Sequence, residues 1–177
     1  NPDDIILLHT ARLVPRKGVD RLIEVLHALP LQVRGVGIGD GADRARLEML
    51  AVPLGDRMKL LGAVDDATRD LWYAAADIFV FPVRTEGDDV EGYGIVCLEA
   101  SAAGLPVVVG KNGGAPETVV EGETGFVVDA NNLSALRAAI QRLVDDPALR
   151  KRMGEAGKEH IRTTADWSSR WQTLSHL

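Results

Sequence analysis

The chain has 177 residues, 46% of them hydrophobic and 26% charged, with a formal net charge of −6 and one cysteine. That is enough for one domain of ordinary size with a proper core, globular rather than disordered. The negative balance leaves no basic stripe for a phosphate backbone, so nucleic acid is not an expected partner. A lone Cys97 excludes an internal disulfide and is compatible with a reducing compartment, where it reads as a small buried hydrophobe. No apolar run reaches membrane-spanning length and no signal peptide is visible. The opening Asn-Pro-Asp-Asp, without an initiator Met, reads as the start of a fragment cut at a linker.

Taken in order, residues 5–9 form an apolar run that predicts a buried strand, followed by the loop TARLVPRKG. Gly18 precedes a helix whose apolar positions Val19, Leu22, Ile23, Leu26 and Leu29 keep helical spacing until Pro30 stops it. Residues 31–38 read as a second strand, and GIGDGADRARLEML as a glycine loop opening a second helix. A short third strand covers 58–61, and Asp65-Asp66 offers an N-cap for the next helix, through Leu71, Trp72 and Ala76. Strand four covers 78–81, ended by Pro82. After the loop 84–92 come a short helix, a strand beginning at Val107, a turn through NGGAPETVVEG and a sixth strand over 125–128. Helical stretches over 132–145, 147–161 and 166–176 close the chain, the last with Trp167 and Trp171 on one face. Strands alternating with helices at this spacing predict an α/β fold, a doubly wound, Rossmann-like parallel sheet of about six strands. Ligands then bind at the carboxyl ends of the strands, where every glycine-rich loop noted here falls.

One stretch carries most of the chemistry: EGYGIVCLEASAAGLPVVVG, residues 91–110. Glycine just ahead of a helix lets a ligand approach the backbone, and the first N–H groups of that helix lack intrahelical partners. With the helix dipole added, this is an anion site. From Gly94 to Glu99 the helix rises roughly 7 to 8 Å, so two carboxylates, Glu91 and Glu99, bracket that site. Carboxylates do not hold phosphate but accept hydrogen bonds from hydroxyls. Hydroxyls on both sides of a phosphate describe a nucleotide sugar.

Glu91 and Glu99 enclose seven residues, and the string resembles the E-x7-E motif of the retaining GT-B glycosyltransferases of family four. ARLVPRKG likewise resembles that family's G-R-L-x-x-x-K-G, with Ala11 in place of the usual glycine, and GIGDGA its V-G-D-G-P loop with one extra residue. The resemblance runs from about Ile5 to the end and covers only the donor-binding, C-terminal half of such an enzyme. It implies Arg12, Lys17 and Glu91 as catalytic residues, the two cations meeting the donor phosphates and Glu91 the donor sugar. It implies Gly39, Val64, Gly92, Tyr93, Gly94, Ile95, Val96 and Glu99 as donor-binding, with Glu99 at the ribose and Val64 meeting the base through its backbone. Gly113-Gly114 before Ala115-Pro116-Glu117 resembles the family's G-G-x-x-E turn, although a loop needing positive φ explains it equally well. Arg16 is a third cation with no role in the resemblance.

The reaction implied is transfer of a hexosyl group from a nucleoside diphosphate to a hydroxyl with retained configuration. TEGDDVEGYGIVCLEA is most similar to the bacterial phosphatidylinositol mannosyltransferase-like branch, which favours GDP-mannose, with UDP-sugars next. No cofactor beyond that donor substrate is implied. No metal is implied either: the four histidines show no ligand spacing. The partners implied are the nucleotide sugar, an N-terminal acceptor domain outside this chain and, through that domain, an acceptor lipid at a membrane surface. A cytoplasmic, membrane-peripheral setting follows. Two alternatives stand beside this reading. One is a nucleotide-binding regulatory module without catalysis. The other is the NAD-binding domain of a dehydrogenase, because Gly37, Gly39 and Ala42 also fit the dinucleotide fingerprint G-x-G-x-x-A.

Overall fold

The computed structural model describes residues 3–164. Its centre is a six-stranded parallel sheet of β1 (Ile5–Thr10), β2 (Val33–Ile38), β3 (Met58–Gly62), β4 (Ile78–Phe81), β5 (Val107–Gly110) and β6 (Gly125–Val128). The spatial order is β3-β2-β1-β4-β5-β6. Helices α1 (Val19–Leu26), α2 (Arg44–Ala51), α3 (Asp66–Ala75), α4 (Ile95–Ala102), α5 (Leu133–Asp145) and α6 (Pro147–Thr164) connect the strands and close the described chain. This is the doubly wound α/β sheet that the sequence predicts. The strand order reverses between β1 and β4, the switch point where such sheets open a crevice at their carboxyl ends.

Successive strand residues face opposite sides, and the core divides accordingly. Leu7 and Val80 pack with α1, α2 and α5 on one face. Leu8, Phe79 and Phe81 pack with Tyr73 of α3 and Cys97 of α4 on the other. Because both faces are covered, the central strands carry no polar alternation and read as continuous apolar runs. Burial pushes the Cys97 thiol up to about 12, so it behaves as the inert small hydrophobe expected of it. Midway along, α6 packs on α4 with Gly157 against Ser101, and a Cβ on Gly154 would strike the Gly104 carbonyl just past the end of α4. Among the described residues, no helix is long and apolar enough to cross a membrane.

Several boundaries differ from expectation. The apolar spacing carries the first helix to Leu29, but α1 stops at Leu26. Its last carbonyls are satisfied from elsewhere: Nη2 of Arg57 donates to the carbonyls of Leu26, Leu29 and Pro30 at 2.7, 3.1 and 3.1 Å. A guanidinium thereby replaces the next helical turn. Leu31, expected to open the second strand, is 78% exposed; pairing with β1 begins at Val33, opposite Ile5. The N-cap at Asp65 is as predicted, its side chain accepting from the Thr68 amide at 2.7 Å. The helical stretch expected over 166–176, with Trp167 and Trp171, lies outside the described residues.

Candidate functional site

The loop after β1 enters a 3-10 turn, Pro15–Lys17, and leaves it through Gly18 at φ 75°. Proline presets the first position of that turn, and glycine serves its exit. A Cβ on Gly18 would also collide with the Pro82 carbonyl, so the loop rests directly on the end of β4. The turn aims its two cations at one carboxylate. Lys17 Nζ lies 2.5 Å from Glu91 Oε2 and 5.0 Å from the Phe81 ring centroid. Arg16 donates through Nη1 to the same oxygen. Arg16 Nε is 2.8 Å from Asp89 Oδ1, an ion-pair contact without hydrogen-bond geometry. Lys17, expected to face phosphate, is thus committed to Glu91 in this structure, and Arg16 joins it. Arg12 is exposed, with no ion pair among the described residues.

Beyond Glu91 the chain runs through Gly92 and Tyr93, both exposed, to Gly94, which caps α4 at φ 73°. The amides of Ile95 and Val96 stand in the first turn, ahead of the intrahelical ladder. Ile95 is 64% exposed and Val96 half-buried, so this helix end is open. Gly113-Gly114 forms the shoulder of the segment. Gly113 has φ 72°, a Cβ on Gly114 would strike the Gly92 carbonyl, and the Gly114 amide donates to Glu91 at 3.1 Å. The positive-φ reading of that pair holds at Gly113, and Gly114 adds a close approach of two backbones.

Glu99 sits farther along α4 and accepts from the Tyr73 hydroxyl at 3.0 Å. Tyr73 also meets Thr10 Oγ1 at 2.7 Å. Burial, with the Glu99 charge adding to it, raises the Tyr73 pKa; the phenol stays protonated and donates to the carboxylate. Arg69, Asp70, Tyr73, Ala74, Glu99 and Ala103 line an adjoining groove of about 330 Å³ between α3 and α4.

The remaining candidates lie on loops along the same edge. Gly39 has φ 132° and its α-carbon backs onto the Ala11 carbonyl, while its amide donates to Gly62 at 2.8 Å. Val64 is half-buried and packs against the core on the α3–α4 face. The glycine loop with the dinucleotide pattern follows β2, one strand removed from the switch point, which counts against the nicotinamide alternative. The structure therefore brings Lys17, Glu91 and residues 92–96 together and places Glu99 on the same helix. Sequence reasoning missed Arg16 as a member of the site, along with Asp89, Tyr73 and Thr10. Arg16 carried a signal, a cation beside Lys17 without a role; the other three carried none.

Residues 1–160 match the family described as glycosyl transferases group 1. The chain is 39% identical over 178 residues to a GDP-mannose-dependent monoacylated alpha-(1-6)-phosphatidylinositol monomannoside mannosyltransferase of Corynebacterium glutamicum, covering 97% of this chain and 46% of that protein. Among solved structures, the sucrose-phosphate synthase of Thermosynechococcus elongatus superposes with a TM-score of 0.87 at 31% identity, covering 99% of this chain and 45% of that one. Anabaena Alr3699/HepE, solved in complex with UDP and glucose, gives a TM-score of 0.85 at 26% identity over 99% and 49% of the two chains. The chain thus spans about half the length of the curated relative it matches.

Proposed function

Since the chain belongs to the glycosyl transferases of group 1, we propose that its carboxyl-edge crevice binds the nucleotide-sugar donor of a retaining hexosyl transfer. The carrying observation is the convergence of Lys17, Arg16 and Glu91 on the open N-terminus of α4 at the β1/β4 switch point. A helix end supplies only about half a positive charge, too little for a diphosphate. Arg12 and Lys17 supply the rest, Arg as a fork and Lys as a point charge. As the glycosidic bond breaks, negative charge grows on the leaving diphosphate. Fixed donors aimed there lower the barrier, because they are stronger partners for the departing group than for the intact donor. Glu91 turns from its two cations to the sugar hydroxyls. Glu99, oriented by Tyr73, takes the ribose.

GDP-mannose is the favoured donor, supported by the activity named for the Corynebacterium relative. UDP-sugars come next, supported by the UDP and glucose in the Anabaena structure. We further propose that this chain is the C-terminal, donor half of a two-domain enzyme. The other half carries the acceptor site and receives a lipid hydroxyl at a membrane surface. Titration calorimetry with GDP-mannose, UDP-glucose, their free diphosphates and NAD tests the donor reading. Micromolar binding of one nucleotide sugar but not NAD is expected; binding of NAD alone reverses it.

A further inference from the structure

Behind the crevice runs a second set of charges that the proposed reaction leaves unused. Arg84 opens the loop between β4 and α4. Its guanidinium lies bidentate on Asp20 of α1, Nη1 2.8 Å from Oδ1 and Nη2 3.1 Å from Oδ2. The two side chains are 7% and 8% exposed, so neither is available to a ligand. The remaining donors of Arg84 are used as well: Nε bonds Glu86 at 2.5 Å, and the backbone amide donates to the Arg16 carbonyl at 2.9 Å. Asp20 is in turn 3.6 Å from Nη2 of Arg46, whose guanidinium lies bidentate on Asp43 at 2.7 and 2.6 Å. An alternating row, Asp43, Arg46, Asp20, Arg84 and Glu86, thus ties together the starts of α2, α1 and the β4–α4 loop.

The first two of these starts follow the loops that hold Gly39 and Lys17, and the third leads into the stretch that holds Glu91. The backbone there has little slack. A Cβ on Gly18 would collide with the carbonyl of Pro82, and one on Gly110 with that of Val83, so 82–84 is threaded between neighbouring loops. From Thr85 to Val90 the loop is exposed, and its own bonding is a short turn in which Glu86 and Asp89 exchange backbone bonds. Beyond the contacts of Arg16 with Asp89 and of Arg16 and Lys17 with Glu91, the placement of Glu91 depends on how the loop is anchored at its two ends: Arg84 at one, the Gly94 cap and Gly114 at the other. A buried ion pair is weak evidence for stability, because desolvation cancels much of its attraction. What a bidentate fork supplies is a single geometry.

We infer that Arg84 and Asp20 are positioning residues of the nucleotide-sugar site, setting the distance between the turn that carries Arg16 and Lys17 and the loop that delivers Glu91. The inference rests on the donor reading above. Its signature is selective. A displaced loop moves Glu91, which faces the sugar, but leaves α4 with Gly94 and Glu99, which α6 and the sheet hold independently.

The test uses the full chain and two ligand pairs, GDP with GDP-mannose and UDP with UDP-glucose. Three proteins are titrated and melted: wild type, R84Q/D20N and R84K. The double neutral variant removes both charges together and so leaves no orphaned ion in the interior. It should melt close to wild type and bind the free diphosphate within about twofold, while affinity for the nucleotide sugar falls about tenfold. R84K keeps the charge but not the fork, and should lose about threefold on the nucleotide sugar alone. Should R84Q/D20N not fold, R84K decides. Unchanged nucleotide-sugar affinity in both variants overturns the inference, and so does an equal loss for both members of a pair with a lowered melting point, which is a purely structural role. Failure of the wild type to bind either pair would instead overturn the donor reading, and this inference with it.

Discussion

Glu91 holds the balance of charge in the crevice, since Lys17 and Arg16 share one of its oxygens. Phosphate and Glu91 therefore compete for the same cations. Glu91→Ala should leave free nucleoside diphosphate binding intact or tighten it, while weakening the nucleotide sugar. Glu99→Ala should weaken both, because both carry the ribose. Titration of each ligand against each variant checks this, and parallel losses in both variants would refute the division of labour. Hydrogen bonds to charged groups contribute roughly 1.5 to 3 kcal/mol, so Lys17→Ala or Arg12→Ala should cost about tenfold to a hundredfold in diphosphate affinity. His9 offers a different measurement. It is fully buried, its Nδ1 bonded to the Val80 carbonyl at 2.9 Å and its Nε2 without a partner among the described residues. Burial first, with Lys17 adding, holds its pKa down to about 4, against the Val80 bond and the Asp20 charge. The unfolded chain, with His near 6.5, takes up the proton first. The contribution is thus complete above pH 6.5 and fades as pH falls toward 4, by about 3 kcal/mol across the window. Denaturant midpoints measured from pH 7 to 4 should show this slope, and His9→Leu should flatten it.

At the scale of elements, the approach of the turn at Gly113-Gly114 to the loop before α4 is a tight constraint on the site. Gly114→Ala places a methyl group against the Gly92 carbonyl. The backbone must yield there, and Glu91, which accepts from the Gly114 amide, moves with it. Nucleotide-sugar affinity should fall more than tenfold while the melting point drops only a few degrees; an unchanged affinity would show that this contact is slack. Elements of this kind differ in how openly the sequence declares them. The central strands were legible because both sheet faces are covered, making β4 and β5 apolar throughout and β1 apolar up to His9. Gly94, Lys17 and Glu91 were legible because backbone freedom and charge are local properties. The end of α1 was not, since Arg57 reaches its carbonyls from 31 residues away. Nor was the Arg16–Glu91 pair, across 75 residues, or the Tyr73–Glu99 bond, across 26. Such partners are chosen by the packing of the finished sheet, and no window of sequence contains both members.

For the molecule as a whole, the candidate donor contacts lie on one sheet edge that this chain completes alone. Transfer also needs an acceptor hydroxyl held against the anomeric carbon, and such positioning can supply several kcal/mol of the barrier. The isolated chain should therefore bind donor, more weakly than a protein twice its length, and transfer little or no sugar. Calorimetry with radiolabelled transfer assays on both proteins checks this; transfer by this chain at the longer protein's rate would put the acceptor machinery here. The strand order has a consequence for how such a chain is made. β1 pairs with β4 through Leu7 opposite Ile78 and Leu8 opposite Phe79, and the neighbouring His9–Val80 bond closes a span of 71 residues. Every other pairing in the sheet joins strands adjacent in sequence. Two locally connected halves, 3-2-1 and 4-5-6, can thus gather early, while the costly long closure between them comes late. Until it does, each half carries its most apolar strand as a bare edge, the state most exposed to misassembly on the ribosome or during refolding. The crevice exists only once those two edges have met, so the seam that creates the binding site should also be the last and most vulnerable step in building it.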